Sequence, residues 1–244
     1  FLLRRIRPTI SGSVGKLVAF RFTPEFAGSG LGDASGNSIV DAYVDLKFSP
    51  KASVRLGKQK GPIGIERLQS GSALPFIERG LTTELVPNRD LGVAVFGELA
   101  SKTVNYSLGV FNGTADGRDV SVADDAGKEV EGRIFFTPFK NDYSALAGLG
   151  FGIAGSYGNK HSAQGNTANA NNTLARYRSS GQQQFFSYET GVIANGKHTR
   201  LAPQFSFYKD AFGLLGDYVV SEQEVVRTTN KAKVKNDAYS LTAT

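Results

Sequence analysis

Apolar and polar residues alternate with a period of two along most of the chain. Between residues 39 and 48, Val40, Val44 and Leu46 fall on one face, and Asp41 and Asp45 fall on the other. This alternation is typical of β-strands with one apolar and one polar face. It recurs in about eleven stretches, which we predict to be strands: residues 3–11, 17–26, 39–48, 52–60, 90–99, 103–112, 129–138, 146–156, 199–208, 211–222 and 237–244.

The connections between these stretches alternate in length. Short turns are predicted at 12–16, 49–51, 100–102, 140–145 and 209–211, and long loops at 27–37, 61–88, 113–127, 157–198 and 222–236. A transmembrane antiparallel up-and-down β-barrel has this alternation, with short periplasmic turns and long external loops. We therefore expect one barrel domain over residues 1–244. Because single-chain bacterial barrels have an even number of strands, we expect it to be incomplete at both ends.

Composition narrows the chemistry. The 244 residues contain no cysteine, which excludes disulfides and thiolate metal sites. The formal net charge of +6 favours an anionic partner, although nucleic-acid binders usually concentrate their charge more strongly. We expect no nucleic acid among the partners.

The cost of burying charge in lipid predicts which strand face lines the interior. Arg or Lys on a lipid-facing position costs about 2–4 kcal/mol near the midplane, so the charged face should line the lumen. Arg4 has the opposite parity and is expected near a rim. The residues predicted to face the lumen are Arg5, Arg7, Arg21, Lys47, Arg55, Arg133 and Arg200, together with Asp41, Asp45, Glu131 and Asp217.

The long connection 61–88 contains more apolar residues than a water-exposed loop needs. They are Ile63, Ile65, Leu74, Phe76 and Ile77. A loop folded into the barrel would bury these side chains against the wall and narrow the pore. Rings of basic residues select anions, and the basic residues in and beside this loop are Lys58, Lys60, Arg67, Arg79 and Arg89.

Alternatives remain open for the same residues. The loop charges could be solvated and paired locally, Arg67 with Glu66 and Arg79 with Glu78. The protein could also be a general porin without a specific anion site, a plugged or adhesive barrel without a transport role, or a soluble β protein.

Several segments resemble the phosphate-selective porin O/P family. The strongest is VRLGKQKGPIGIER at 54–67, followed by FIER at 76–79 and VPNRDLGV at 86–93; LRRIR at 3–7, DAYVDL at 41–46 and FGLLGDY at 212–218 also fit. The resemblance implies a 16-stranded, usually trimeric outer-membrane porin that passes inorganic anions such as phosphate or polyphosphate. It aligns Arg4 and Arg5 with an arginine ladder that guides phosphate. Arg67 matches a lysine that grips phosphate, and Ser72 replaces a second one.

Other chemistry receives little support from the sequence. The run from Gly191 to Lys197 resembles a P-loop but is followed by His198 and a predicted strand instead of Ser or Thr and a helix. The aspartates between Asp116 and Asp125 lack the EF-hand order, so we interpret this segment as a solvated loop. We expect no metal, no cofactor and no catalytic residues.

Overall fold

The structure is a computed structural model that describes residues 5–27, 38–120, 127–161, 174–179, 181 and 183–244. An 11-stranded antiparallel sheet contains nearly all of its regular structure. Its strands are β1 Ile10–Val14, β2 Val18–Glu25, β3 Ser38–Ser49, β4 Ala52–Gln59, β5 Asp90–Leu99, β6 Val104–Phe111, β7 Glu129–Phe136, β8 Leu149–His161, β11 Val192–Lys209, β12 Phe212–Arg227 and β13 Asn230–Ala243. A separate hairpin pairs β9 Arg176–Arg178 with β10 Gln184–Ser187.

In the part of the chain that the structure describes, helical structure is limited to one loop. Between β4 and β5 lie the helix α1 Ile65–Leu68 and a 3₁₀ turn at Leu81–Leu85. No helix in the described residues is long and apolar enough to cross a membrane. Each main strand pairs with its neighbour in sequence, apart from the β9–β10 insertion, so the sheet is an up-and-down meander. The predicted all-β, barrel-type antiparallel fold is therefore confirmed, although β1 and β13 are not paired in this chain.

The two faces of the sheet have opposite chemistry. Val44, Leu56, Val93, Leu108 and Ile153 are exposed on one face, which we call the outer face. The other, inner face carries the buried polar and charged side chains: Thr23, Asp41, Asp45, Ser53, Gln59, Asp90, Glu129, Glu131, Ser156, Lys160, His198, Arg200, Gln204, Ser206, Asp217, Ser221 and Gln223. An apolar exterior around a polar interior is the arrangement of a transmembrane barrel.

Aromatic rings on the inner face lie close to glycines of the neighbouring strands. A Cβ atom on Gly152 would lie 2.3 Å from the carbonyl oxygen of Ile134 and 2.7 Å from the ring of Phe135. A Cβ on Gly92 would similarly lie 2.5 Å from the ring of Phe111. Glycine is required where a ring approaches the backbone this closely.

Three boundaries differ from the sequence-based prediction. The first strand is β1 at Ile10–Val14, whereas residues 3–11 were expected. β8 and β11 extend into the expected loop 157–198. The expected loop 222–236 is also strand on both sides of a turn at Thr228, whose φ is 58°. There Glu222 of β12 forms an ion pair with Lys233 of β13, so opposite charges support a segment whose polarity resembles a loop.

Two prolines interrupt the hydrogen-bond ladder where the prediction placed them inside strands. Pro24 lies at a register shift between β2 and β3. Pro203 faces Ile153 of β8, and the recorded pairing of β11 with β12 lapses between Leu201 and Gln204. Proline lacks a backbone donor, so both positions lie where one ladder bond is missing.

Candidate functional site

The segment from Lys60 to Arg89 lies against the inner face of the sheet. Ile63, Leu85 and Val86 pack in one buried cluster with Ala154 of β8 and Val219 of β12. Small wall residues leave space for these larger loop side chains, so burial of apolar surface holds the loop in place.

The same loop makes a second apolar contact with the inner face, further across the sheet. Ile65 of α1 packs between Phe135 of β7 and Leu215 of β12. The 3₁₀ turn then contacts β12 and β13. The loop therefore extends from β4 over strands that lie far from it in the sheet. That it narrows a pore remains a prediction.

Lys60 and Arg79 converge on the C-terminal end of α1. Lys60 Nζ donates hydrogen bonds to the carbonyl oxygens of Leu68 (3.1 Å) and Gln69 (2.6 Å). Arg79 Nη2 donates to the same Gln69 oxygen at 2.8 Å. Burial, together with the charges of Arg89, Arg79 and Arg67, lowers the pKa of Lys60 to about 7. The Lys60 amine is therefore only partly protonated at neutral pH.

Arg67 is the most deeply buried cation of the loop, with 6% of its surface exposed. Its Nη1 donates to Asn88 Oδ1 at 2.9 Å, and its Nη2 makes a short hydrogen bond to the carbonyl oxygen of Thr83. Its Nε is buried and has no acceptor among the described residues. Burial, together with the charges of the neighbouring Arg79 and Arg89, lowers the pKa of Arg67 to about 10. The guanidinium therefore remains charged and has an unused donor.

Asn88 joins Arg67 to Arg89. Its side-chain oxygen also accepts a hydrogen bond from Arg89 Nη1 at 3.0 Å, and Arg89 Nε donates to Asp41 Oδ1 at 2.6 Å. One amide oxygen thus holds two guanidinium groups close together. Asn88 itself is fixed because its Nδ2 donates to Asp119 Oδ1 at 2.9 Å.

Residues 112–120, which we call the strap, pack against the end of this loop. The Asn88 N–H donates to the carbonyl oxygen of Arg118, the Gly117 N–H to that of Val86, and the Val120 N–H to that of Arg89, at 2.8–2.9 Å. The strap was not predicted, because a segment rich in glycine and aspartate has the composition of a solvated loop.

Asp116 of the strap is 3% exposed, so the prediction that this residue lies in a solvated loop is wrong. Its Oδ1 accepts from Arg200 Nε and its Oδ2 from Ser221 Oγ, both at 2.6 Å. Burial alone would raise its pKa, but Arg200 and His198 hold the pKa of Asp116 well below its ordinary value. A buried carboxylate remains charged when cationic and hydroxyl donors surround it in this way.

Arg200 and Lys160, which lie on strands of the sheet, belong to the same set of buried ion pairs as Asp116. Glu129 of β7 accepts a hydrogen bond from Lys160 Nζ at 2.7 Å and a shorter one from Arg200. The side chains of all three residues are at most 1% exposed. These pairs anchor the strap to β7, β8 and β11, and through the strap they anchor Asn88.

The predicted site residues near the N-terminus are only partly described. Arg4 lies outside the described residues. Arg5 Nη2 lies 2.5 Å from Glu78 Oε2 of the loop, and burial together with the charge of Arg5 lowers the pKa of Arg79. Arg7 pairs with Glu25 of β2. Both arginines precede β1, so they do not occupy the strand predicted at 3–11.

Arg55 and Arg133 lie on the inner face, away from the loop cations. Arg55 makes a two-pronged ion pair with Asp45 at 2.6 and 2.9 Å, and its guanidinium lies 3.9 Å from the centre of the Tyr43 ring. Arg133 Nε donates to Gln204 Oε1 at 3.0 Å. These two arginines are wall residues held by their own partners.

Lys58 is separated from the other predicted site residues. It pairs with Leu91 of β5 and has the parity of Leu56, whose side chain is exposed on the outer face. An odd spacing of three residues from Arg55 necessarily reverses the face. The structure therefore does not bring Lys58 together with Arg67, Arg79 and Arg89.

An antiparallel meander with an apolar exterior, a charged interior and a loop packed on that interior defines a porin-type β-barrel. A family model described as "Phosphate-selective porin O and P" matches residues 1–239, and the chain belongs to this family. The resemblance seen in the sequence is thus confirmed, and the chain is an outer-membrane porin, a class of channels. No curated protein matches the chain. Within the described residues, no cluster of three or more His, Asp or Glu side chains is arranged to hold a metal.

Proposed function

We propose that this porin is a passive diffusion channel that prefers anions, with phosphate or polyphosphate as its substrates. The observation that carries the proposal is the cation cluster on the loop 60–89. Lys60, Arg67, Arg79 and Arg89 lie close enough for burial and mutual repulsion to lower the pKa values of the first three. A bound oxyanion would relieve this repulsion and accept charge-assisted hydrogen bonds from the partly exposed Lys60 and Arg79.

In this proposal the remaining basic residues guide the anion to the cluster. Arg5 and Arg7 lie on the N-terminal side of the site, with Arg4 preceding them in sequence. Arg55 and Arg133 line the inner wall and contribute to its field. The family resemblance supports a homotrimer embedded in outer-membrane lipid.

The ion preference can be measured as a reversal potential across a planar bilayer in a KCl gradient. We expect the sign that corresponds to chloride permeation, and we expect phosphate to block the chloride current. Arg79→Gln should weaken the phosphate block about tenfold, because it removes one charge-assisted donor worth roughly 1.5–3 kcal/mol.

Arg227→Gln is the matched control. Arg227 pairs with Glu189 and its side chain is 60% exposed, remote from the cluster. The control should behave as the wild-type protein. A cation preference in the wild-type protein, or equal effects of the two substitutions, would contradict the proposal.

A plugged barrel is the second candidate, and one observation favours it. Leu174, Ala175 and Tyr177, from beyond β8, are also buried, and two of them join the cluster around Ile63 on the inner face. Three inward segments therefore share the interior. The same bilayer experiment separates the candidates, because a plugged barrel gives no steady conductance.

A further inference from the structure

A lysine lies at every connection at one end of the sheet. Successive strands are antiparallel, so the connections β1–β2, β3–β4, β5–β6, β7–β8 and β11–β12 lie at the same end, which we call the short-turn end. The lysines are all exposed, and in the described part of the chain none forms an ion pair: Lys16, Lys51, Lys102, Lys140 and Lys209. The same connections contain only two acidic residues, Asp142 and Asp210.

Aromatic side chains form a belt just above these lysines on the outer face. Each lies within three residues of the end of its strand: Phe48, Tyr106, Phe136, Phe151, Phe207 and Phe212. The rings of Phe136 and Phe151 are 5.8 Å apart, and those of Phe207 and Phe212 are 6.2 Å apart. Aromatic belts of this kind lie at the boundary between the hydrocarbon and the headgroups.

One contact links the belt to the lysines directly. The hydroxyl of Tyr106 donates a hydrogen bond to the backbone oxygen of Lys51 at 2.8 Å. The turn that carries Lys51 is therefore held against the outer, lipid-facing side of the sheet. In the β5–β6 connection, Ala100, Ser101 and Lys102 all have left-handed backbone angles, which fixes a tight turn. Lysines on such turns cannot retreat far from the belt.

We propose that the short-turn end docks onto anionic phospholipid headgroups, which it concentrates around the barrel. Lys51, Lys102, Lys140 and Lys209 lie two to four residues beyond an aromatic of the belt, which places their ammonium groups near the depth of the lipid phosphates. Exposed lysines without a protein partner are free to pair with those phosphates, and their contribution is electrostatic. The loop end differs, because several of its basic residues already have protein partners, such as Lys128 with Asn112 and Lys233 with Glu222.

The test measures lipid association and not conduction, so it is independent of the proposed transport function. The protein is reconstituted into vesicles of phosphatidylcholine with a minor fraction of phosphatidylglycerol. Electron spin resonance of spin-labelled lipids then gives the relative association of each lipid with the barrel. We expect the wild-type protein to favour phosphatidylglycerol about threefold at low salt and to lose this preference in about 0.5 M salt.

Two triple variants distinguish the contribution of the lysines at the short-turn end from that of the lysines at the loop end. Lys51→Gln, Lys102→Gln and Lys140→Gln together should reduce the preference to about onefold. Lys231→Gln, Lys233→Gln and Lys235→Gln, on β13 towards the loop end, remove the same charge and should leave the preference unchanged.

Three results would overturn the proposal. The wild-type protein could show no preference for phosphatidylglycerol, or the two triple variants could lose it equally. The first variant could also keep the lipid preference while its reversal potential shifts, in which case the turn lysines act on dissolved anions and not on lipid.

Discussion

Removing Asp116 should destabilise the strap and, through it, the cation cluster. Its carboxylate is 3% exposed and accepts hydrogen bonds from Arg200 and Ser221, each at 2.6 Å. Breaking a buried ion pair costs about 3–5 kcal/mol when it leaves a charge uncompensated. Arg200 keeps Glu129 as a partner, so we expect Asp116→Ala to cost about 3 kcal/mol, the lower end of that range.

A second substitution keeps the shape of the side chain. Asp116→Asn keeps an acceptor for Ser221 but removes the charge and places an NH2 group where Arg200 had an acceptor, so we expect a cost of about 2 kcal/mol. Asp142→Ala is the matched control, since Asp142 is an exposed aspartate in the β7–β8 connection. Its effect should stay within about 0.5 kcal/mol.

The assay is urea unfolding of the detergent-solubilised protein followed by far-ultraviolet circular dichroism, because the chain contains no tryptophan. A double-mutant cycle with Arg200→Met gives the pair's own contribution, which we expect to exceed about 1.5 kcal/mol. Additivity of the two substitutions within about 0.5 kcal/mol would refute the argument that this pair anchors the strap. Phosphate block should weaken in parallel, because the strap holds Asn88.

Three further predictions concern the wall and the loop. Lys60 is charged below its pKa of about 7 and neutral above it. In reversal-potential measurements, the anion preference should therefore fall as the pH rises from about 6 to about 8. The Lys60→Gln variant should show no such pH-dependent step. Gly152→Ala should lower the free energy of unfolding by about 2 kcal/mol in urea titrations, because the backbone of Ile134 cannot give way; no loss would show that the wall is looser. Arg55→Leu should reduce anion conductance whereas Lys58→Leu should not, since Lys58 has outer-face parity; equal conductance losses would contradict the face assignment.

The period-two pattern predicted the fold well because a barrel strand meets lipid on one side and water on the other. The approximate positions of the main strands followed from that pattern. It failed at β12 and β13, where Lys231, Lys233 and Lys235 face residues of β12 that include Glu222 and Glu224. Cross-strand ion pairs hold these strands together beyond the apolar band, and such pairing is invisible until the register is known.

The candidate site was predictable in its location but not in its contacts. Family resemblance and the apolar residues of the loop pointed to Arg67 and Arg79. The adjacent glutamates suggested local pairs, whereas Arg67 instead contacts Thr83 and Asn88. Nothing in the sequence indicated that Asn88 would join two arginines, because one asparagine beside an arginine is common in loops. The face of Lys58, in contrast, could have been found by counting from Arg55.

The unequal lengths of the strands have a consequence for access to the mouth. At roughly 3.3 Å per residue, the 18 residues of β11 extend about 60 Å, but the 8 residues of β4 extend only about 26 Å. The excess lies on the side away from the short turns, where β8, β11 and β12 rise well beyond a hydrocarbon band about 25 Å tall. The side of the mouth formed by β8, β11 and β12 therefore projects above the bilayer surface. The flank formed by β4 to β7 is lower, so the rim of the mouth is uneven in height.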